Sequence, residues 1–228
     1  MGGDTSDAWY LYREIHKGLR YALFGVTALA GNTDGRDDAA VEAMETEWRD
    51  VELFLDGHHQ HEDQYYAPLI EAHAPNMVSE LARSHAEADD AIDRIDGLIA
   101  RLSGAPIPRR VAMLQVLHLD LADLTAAYVL HLRFEEEVVA PLLDAAVPAE
   151  ALAEVAAAIR RSMAPDDLCV FLRFLFPGLS PVERIALVAA MRTDVVPAVF
   201  ERMRITAESS LSPADYQMVA ATGAFGSP

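Results

Sequence analysis

The sequence predicts an all-α protein: an up-down-up-down four-helix bundle followed by a helical C-terminal extension. Three observations lead there. Ala, Leu, Glu and Arg dominate the composition and β-branched runs are short. Four long helical stretches, joined by short loops, precede residue 148, the pattern of an up-down-up-down bundle. Charge and histidine then divide at the same boundary. Residues 1–147 hold 11 basic and 27 acidic residues and all eight histidines, whereas residues 148–228 hold 7 basic and 9 acidic residues.

The first helix is expected over residues 6–30, stopped by Gly31-Asn32-Thr33-Asp34-Gly35. The second opens at Asp37 or Asp38, acids suited to a helix start, and runs to about residue 73, with a bend at Pro68. The third starts at Asn76 as N-cap and ends at Ser103-Gly104. The fourth follows Pro106 and Pro108 and runs to about residue 143. Beyond residue 147 the helices shorten, cut by Pro and Gly. Ser180-Pro181-Val182-Glu183 reads as a capping box, and Ser212-Pro213 opens another helix in the same way. No internal repeat of solenoid length is evident. Residues 1–147 are thus expected as the bundle, and residues 148–228 as an extension packed on it through Phe171, Phe174, Phe176 and Phe200.

The formal charge of −18 repels phosphate backbones, so nucleic acid is excluded as a partner and an anionic membrane surface is disfavoured. The N-terminus lacks the basic flank and apolar core of a secretory signal. No apolar stretch of about 18 residues runs free of charge, so no transmembrane helix is expected. The single cysteine, Cys169, rules out an intramolecular disulfide and any multi-cysteine metal site. A cytoplasmic protein is the expectation.

Two segments resemble each other: His58-His59-Gln60-His61-Glu62-Asp63 and His131-Leu132-Arg133-Phe134-Glu135-Glu136. Each contains H-x-x-x-E, and a proline follows each glutamate by six residues (Pro68, Pro141). Residues four apart on a helix sit about 40° apart in angle and about 6 Å apart in rise. Imidazole and carboxylate then enter one volume, as a metal centre with N and O ligands requires. In an up-down-up-down bundle, His16, His58, Glu62, His85, His131 and Glu135 also fall in one slab, about 12–18 Å from one end.

In the order H…HxxxE…H…HxxxE, residues 8–145 resemble the hemerythrin family in its bacterial hemerythrin-like (HHE) form. The resemblance implies a non-haem di-iron centre inside the bundle, with His16, His58, Glu62, His85, His131 and Glu135 as ligands and the two glutamates bridging the irons. Oxygen-carrying members present two histidines one turn apart on the third helix. Here His85 has Leu81 before it and Asp89 after it, so Asp89, His59 or a water is left to fill that position. On the fourth helix the acid is either Glu135 or Glu136. An extra open position shifts the expectation from pure oxygen carriage towards peroxide, oxidation or nitric-oxide chemistry. The E-x-x-H pattern of ferritin-like bundles and the H-E-x-x-H zinc protease motif are both absent.

Tyr65 and Tyr128 lie on the ligand stripes and read either as buried packing or as proton donors, the catalytic candidates of the chain. Tyr12 and Arg20 share the face of His16, where they can support it. His61 reads as solvated, His73 as a helix-end residue and His118 as structural. The resulting expectation is a binding, sensing or peroxide-consuming protein for O2, peroxide or NO, with enzyme status and a homodimer left open. The alternative is an iron-storage or partner-binding helical protein without turnover.

Overall fold

A computed structural model of the chain describes residues 7–226, with side chains from Tyr12 onward. Among the described residues there is no strand. Four long segments pack as a helical bundle: α1 (Asp7–Asn32), α2 (Asp38–His61) with α3 (Ala67–His73), α4 (Val78–Ile99), and α5 (Ile107–Phe134) with α6 (Ala140–Ala146). Helix α1 lies against α2 and α5, and α4 lies against α5 and α2. The inner faces follow from apolar residues recurring every three or four positions: Leu19, Leu23, Val26 and Ala30 on α1, Val41, Met44, Trp48 and Val51 on α2, and Leu114, Leu117, Leu121 and Leu124 on α5.

The boundaries have local causes. Asp37 caps α2, its carboxylate accepting from the backbone N–H groups of Ala39 and Ala40. The third helix starts later than expected, because Pro75–Met77 form a separate 3₁₀ turn that takes up Asn76. It also ends earlier, at Ile99. The chain from there to Ser103 is tied down by the Arg110 guanidinium, which donates to Ser103 O at 2.9 Å and to the Asp38 carboxylate at 2.5 Å.

In place of a simple bend at Pro68, the second helix passes through a π-helical turn at Glu62–Tyr66. The fourth does the same at Glu135–Val139. In each, the backbone N–H of the residue after the turn reaches back five positions: Ala67 to Glu62 and Ala140 to Glu135. The next residue is proline both times, Pro68 and Pro141, with no N–H to give to a regular ladder. A wide turn there gives up little, and single π turns of this kind recur at functional sites. The short helices beyond them, α3 and α6, pack side by side.

The extension is α7 (Ala149–Ser162), α8 (Pro165–Gly178), α9 (Pro181–Asp194), α10 (Pro197–Ser210) and α11 (Pro213–Ala220). It has a period that the sequence reading does not anticipate. Prolines 165, 181, 197 and 213 open helices at intervals of 16 residues. Val147, Met163, Leu179, Val195 and Leu211, at the same interval, are the extended residues where helices end. Each helix is stopped by a residue turning inward and restarted by a proline pre-set for the first turn.

Helix α8 lies directly on α1 and α2. Glycines permit the approach: a Cβ on Gly178 would stand 2.8 Å from Lys17 O, and one on Gly57 would stand 2.3 Å from the Phe171 ring. Phe54 stacks on Phe174, so bundle and extension share one apolar core. Glu183 of the capping box on α9 also binds Lys17 at 2.7 Å and Arg13 at 3.0 Å, joining the extension to α1. The continuous stretch Ile107–Ala146 is long and apolar enough to cross a membrane by length and composition alone. Here it is the bundle helix whose buried side carries Leu121, Leu124, His131 and Glu135.

Candidate metal centre

A layer of polar side chains lies between two apolar clusters, one built on Leu19, Trp48 and Leu121, the other on Tyr66, Ile70, Val139 and Leu143. Into this layer α1 sends His16, the last turn of α2 sends His58, α4 sends His85 and α5 sends His131. Glu62 and Glu135 are the first residues of the two π turns. His16, His58, Glu62 and Glu135 place one ligand atom each within 4.8 Å of one another, and so do Glu62, His85, His131 and Glu135. The two sets have both carboxylates in common.

The atoms divide evenly. Glu62 Oε1 stands 3.5 Å from His58 Nε2, and its Oε2 stands 3.3 Å from His85 Nε2. Glu135 Oε2 stands 3.3 Å from His16 Nε2, and its Oε1 stands 3.3 Å from His131 Nε2. Each carboxylate thus turns one oxygen to each pair of imidazoles.

Outer contacts fix two of the rings. His16 Nδ1 lies 2.9 Å from Glu136 Oε1, and the Arg20 guanidinium grips the same carboxylate at 2.7 and 3.0 Å. Glu136 accepts only, so His16 carries its proton on Nδ1 and turns an Nε2 lone pair inward. The Ser84 hydroxyl donates to Leu81 O at 2.9 Å and therefore accepts from His131 Nδ1 at 3.0 Å, giving His131 the same tautomer. Of the two candidate acids on the fourth helix, Glu135 faces the cluster and Glu136 stands behind His16. His59 lies near His85 and His131, its ring stacked on His85 at 4.3 Å. Its Nδ1 faces the exposed Asp89 carboxylate at 3.3 Å and its Nε2 takes the Tyr128 hydroxyl proton at 2.9 Å. Asp89 reaches the cluster only through His59.

The tyrosines fall differently from a regular helix. Tyr128 is buried among His58, His59 and His131. Tyr65 is half-buried beside His61, with ring centroids 6.3 Å apart. Its neighbour Tyr66 takes the inward position and packs on Tyr12, which packs in turn on His16. A π turn has more residues per turn, so the position above Glu62 moves from i+3 to i+4. Tyr66 and Ser84 are the groups at the site that sequence spacing alone misses. His61 is half-buried against Phe171, His73 ends α3, and His118 Nδ1 lies 3.0 Å from Thr27 O at a distance from the cluster.

Burial lowers His58 far below the ordinary imidazole range, lowers His16, and takes His131 to about 3, so these rings stay neutral. For Glu62, burial raises the pKa, but the close approach of His58, His85 and His131 outweighs it and holds the carboxyl low. Burial and the charge of Glu62 together push Glu135 well above the usual range. Two carboxylates facing one another in an apolar layer cannot both stay charged without a cation. His16, His58, His85 and His131 Nε2, both oxygens of Glu62 and Glu135 Oε2 are buried, and none makes a hydrogen bond among the described residues. Each such orphan costs about 1–3 kcal/mol. Neutral imidazole lone pairs and carboxylate oxygens are the donors that an ion such as iron or zinc accepts, so a metal satisfies the set at once.

The family model of the hemerythrin HHE cation-binding domain matches residues 7–143. The chain belongs to this family. The hemerythrin match spans the helical bundle and every convergent His and Glu, and it stops before the extension. Neither a curated protein nor a solved structure matches the chain. As a hemerythrin HHE domain the bundle is a histidine- and carboxylate-based metal-binding unit.

Proposed function

We propose that the centre holds two irons and serves dioxygen, peroxide or nitric-oxide chemistry. His16 and His58 would hold one ion, His85 and His131 the other, and Glu62 and Glu135 would contact both. The observation that carries this is the division of each carboxylate between the two histidine pairs. A pair of irons supplies exchangeable positions for small oxygen and nitrogen ligands, together with electrons for their reduction.

The chain's own groups do the rest. Neutral imidazoles and two carboxylates balance the charge of the ions, and Glu136 with Arg20 orients His16. Tyr128 holds a proton at its hydroxyl, on His59 Nε2, inside the buried layer. In this reading it is Tyr128 that gives a proton to a ligand in the centre, whereas Tyr65 stands half-buried beside His61. The apolar residues of the two flanking clusters keep bulk water out. A cytoplasmic setting belongs to the same reading.

Elemental analysis of the wild type and of His58→Ala, prepared identically, tests it. About two irons per chain are expected in the wild type, with a sharp loss in the variant. Little metal in both proteins, or a single zinc indifferent to the substitution, overturns the reading.

A further inference from the structure

Between the bundle and the extension lies a cavity of about 120 Å³. Met163, Leu168, Phe171 and Met191 wall it from the extension side, beyond the residues that the family shares. From the bundle come Tyr12 and Tyr66 and, at the metal centre, His58 and Glu62. Among the described residues the extension therefore provides no candidate ligand to the centre but walls a half-open pocket against one side of it.

Size and chemistry define what fits. An apolar protein cavity of about 150 Å³ stays dry and takes up benzene, so this one suits a molecule of similar bulk. The wall offers aromatic faces and edges from Tyr12, Tyr66 and Phe171, and the thioethers of Met163 and Met191, which pair favourably with rings. It offers no free guanidinium to an anionic ligand. Arg160 at the wall is engaged by Asp194 at 2.7 Å, and the carboxylates of Glu14 and Glu62 on the same wall disfavour an anion.

We infer that this cavity is a binding site for a small, neutral, single-ring aromatic molecule, of which phenol is the simplest representative, held against the His58–Glu62 side of the metal centre. The binding stands on the cavity alone. Its placement beside a metal rests on the reading of the centre given above.

The probe is 4-fluorophenol, titrated into the full chain as purified and followed by ¹⁹F NMR, with unlabelled phenol as competitor. Saturable binding reversed by phenol is expected. Ala156→Phe, which fills the cavity from α7, should weaken it at least tenfold, with helix content by circular dichroism and metal content unchanged. Ile159→Phe on the same wall serves as a second filling variant should the first fail to fold. No saturable binding in the wild type, or equal binding in a folded filling variant, overturns the site. A second comparison sets iron-loaded against zinc-loaded protein. Bound probe beside iron should show strong paramagnetic broadening absent with zinc, and equal line widths overturn its placement at the centre. A chain that takes up no iron leaves the first titration fully readable, so the two failures are distinguishable.

Discussion

Glu136 accepts a hydrogen bond from His16 Nδ1 at 2.9 Å, and its immediate neighbour Glu135 faces the opposite way, towards His16 Nε2 at 3.3 Å. Adjacent acids thus stand at the two edges of one imidazole, and only Glu136 is hydrogen-bonded to it. The Arg20 guanidinium and His16 keep Glu136 ionised, outweighing its burial and setting its pKa at about 2. Glu136→Ala should lower metal affinity about 10–100-fold, read by competition with a chromophoric chelator. Arg20→Ala should do less, since the carboxylate remains. An affinity equal to wild type in Glu136→Ala would show that His16 needs no partner.

Tyr128→Phe removes the proton that occupies His59 Nε2. The ring nitrogen is then buried without a partner, at a cost of about 1–3 kcal/mol, or free to turn towards the His and Glu cluster. The expected outcome is full metal content with an altered absorption spectrum of the loaded protein, together with slower peroxide consumption. Tyr65→Phe should leave both unchanged. Identical spectra for wild type and Tyr128→Phe would remove His59 from any role at the centre.

Gly57→Ala should destabilise the fold although alanine is the better helix former. The added methyl would meet the Phe171 ring at 2.3 Å, and that ring is buried between Phe54 and His61. Overpacking of this kind costs about 1–3 kcal/mol, against a gain of about 1 kcal/mol from helix propensity. Urea denaturation should show a loss for the single variant and its relief in Gly57→Ala/Phe171→Leu.

Acid should loosen the extension through Glu183. Burial alone would raise this carboxyl, but Lys17 and Ser180 hold it at about 2. A carboxylate whose folded pKa lies below its unfolded value stabilises the fold above about pH 4.3. That contribution fades as pH falls from there towards 2. Wild type and Glu183→Gln, compared by urea denaturation, should differ at pH 7 and converge below pH 4. A constant gap across that range would mean the ion pairs with Arg13 and Lys17 contribute nothing.

Much of the convergence of the candidate residues was legible in the sequence, because helical spacing is a rigid rule. A histidine and a glutamate four apart share a face whatever surrounds them, and two such pairs on helices of matching depth must approach. The π turns were not legible from propensity, since they arise from how a helix ladder accommodates proline in context. Their signature is present nonetheless, as a proline six residues after each glutamate, and it explains why Tyr66 rather than Tyr65 turns inward. The 16-residue spacing of Pro165, Pro181, Pro197 and Pro213 was equally visible, but it falls below the 20–50 residue range in which helical repeats are usually sought. Ser84 could not have been found by pattern. A hydroxyl behind a histidine is placed by the packing of α4 on α5, and nothing local marks it.

The paired π turns make the metal layer close to a two-fold object, with one His-x-x-x-Glu-to-proline unit answering the other across the bundle. The equivalence breaks in the groups behind the histidines. On one half an ionised carboxylate, Glu136, draws on the proton of His16, and on the other a neutral hydroxyl, Ser84, receives that of His131. An imidazole backed by a charge is the stronger base and the stronger electron donor. The two halves are therefore unequal hosts built from near-identical parts, and if two irons bind as proposed, the one beside His16 should be held harder than the one beside His131.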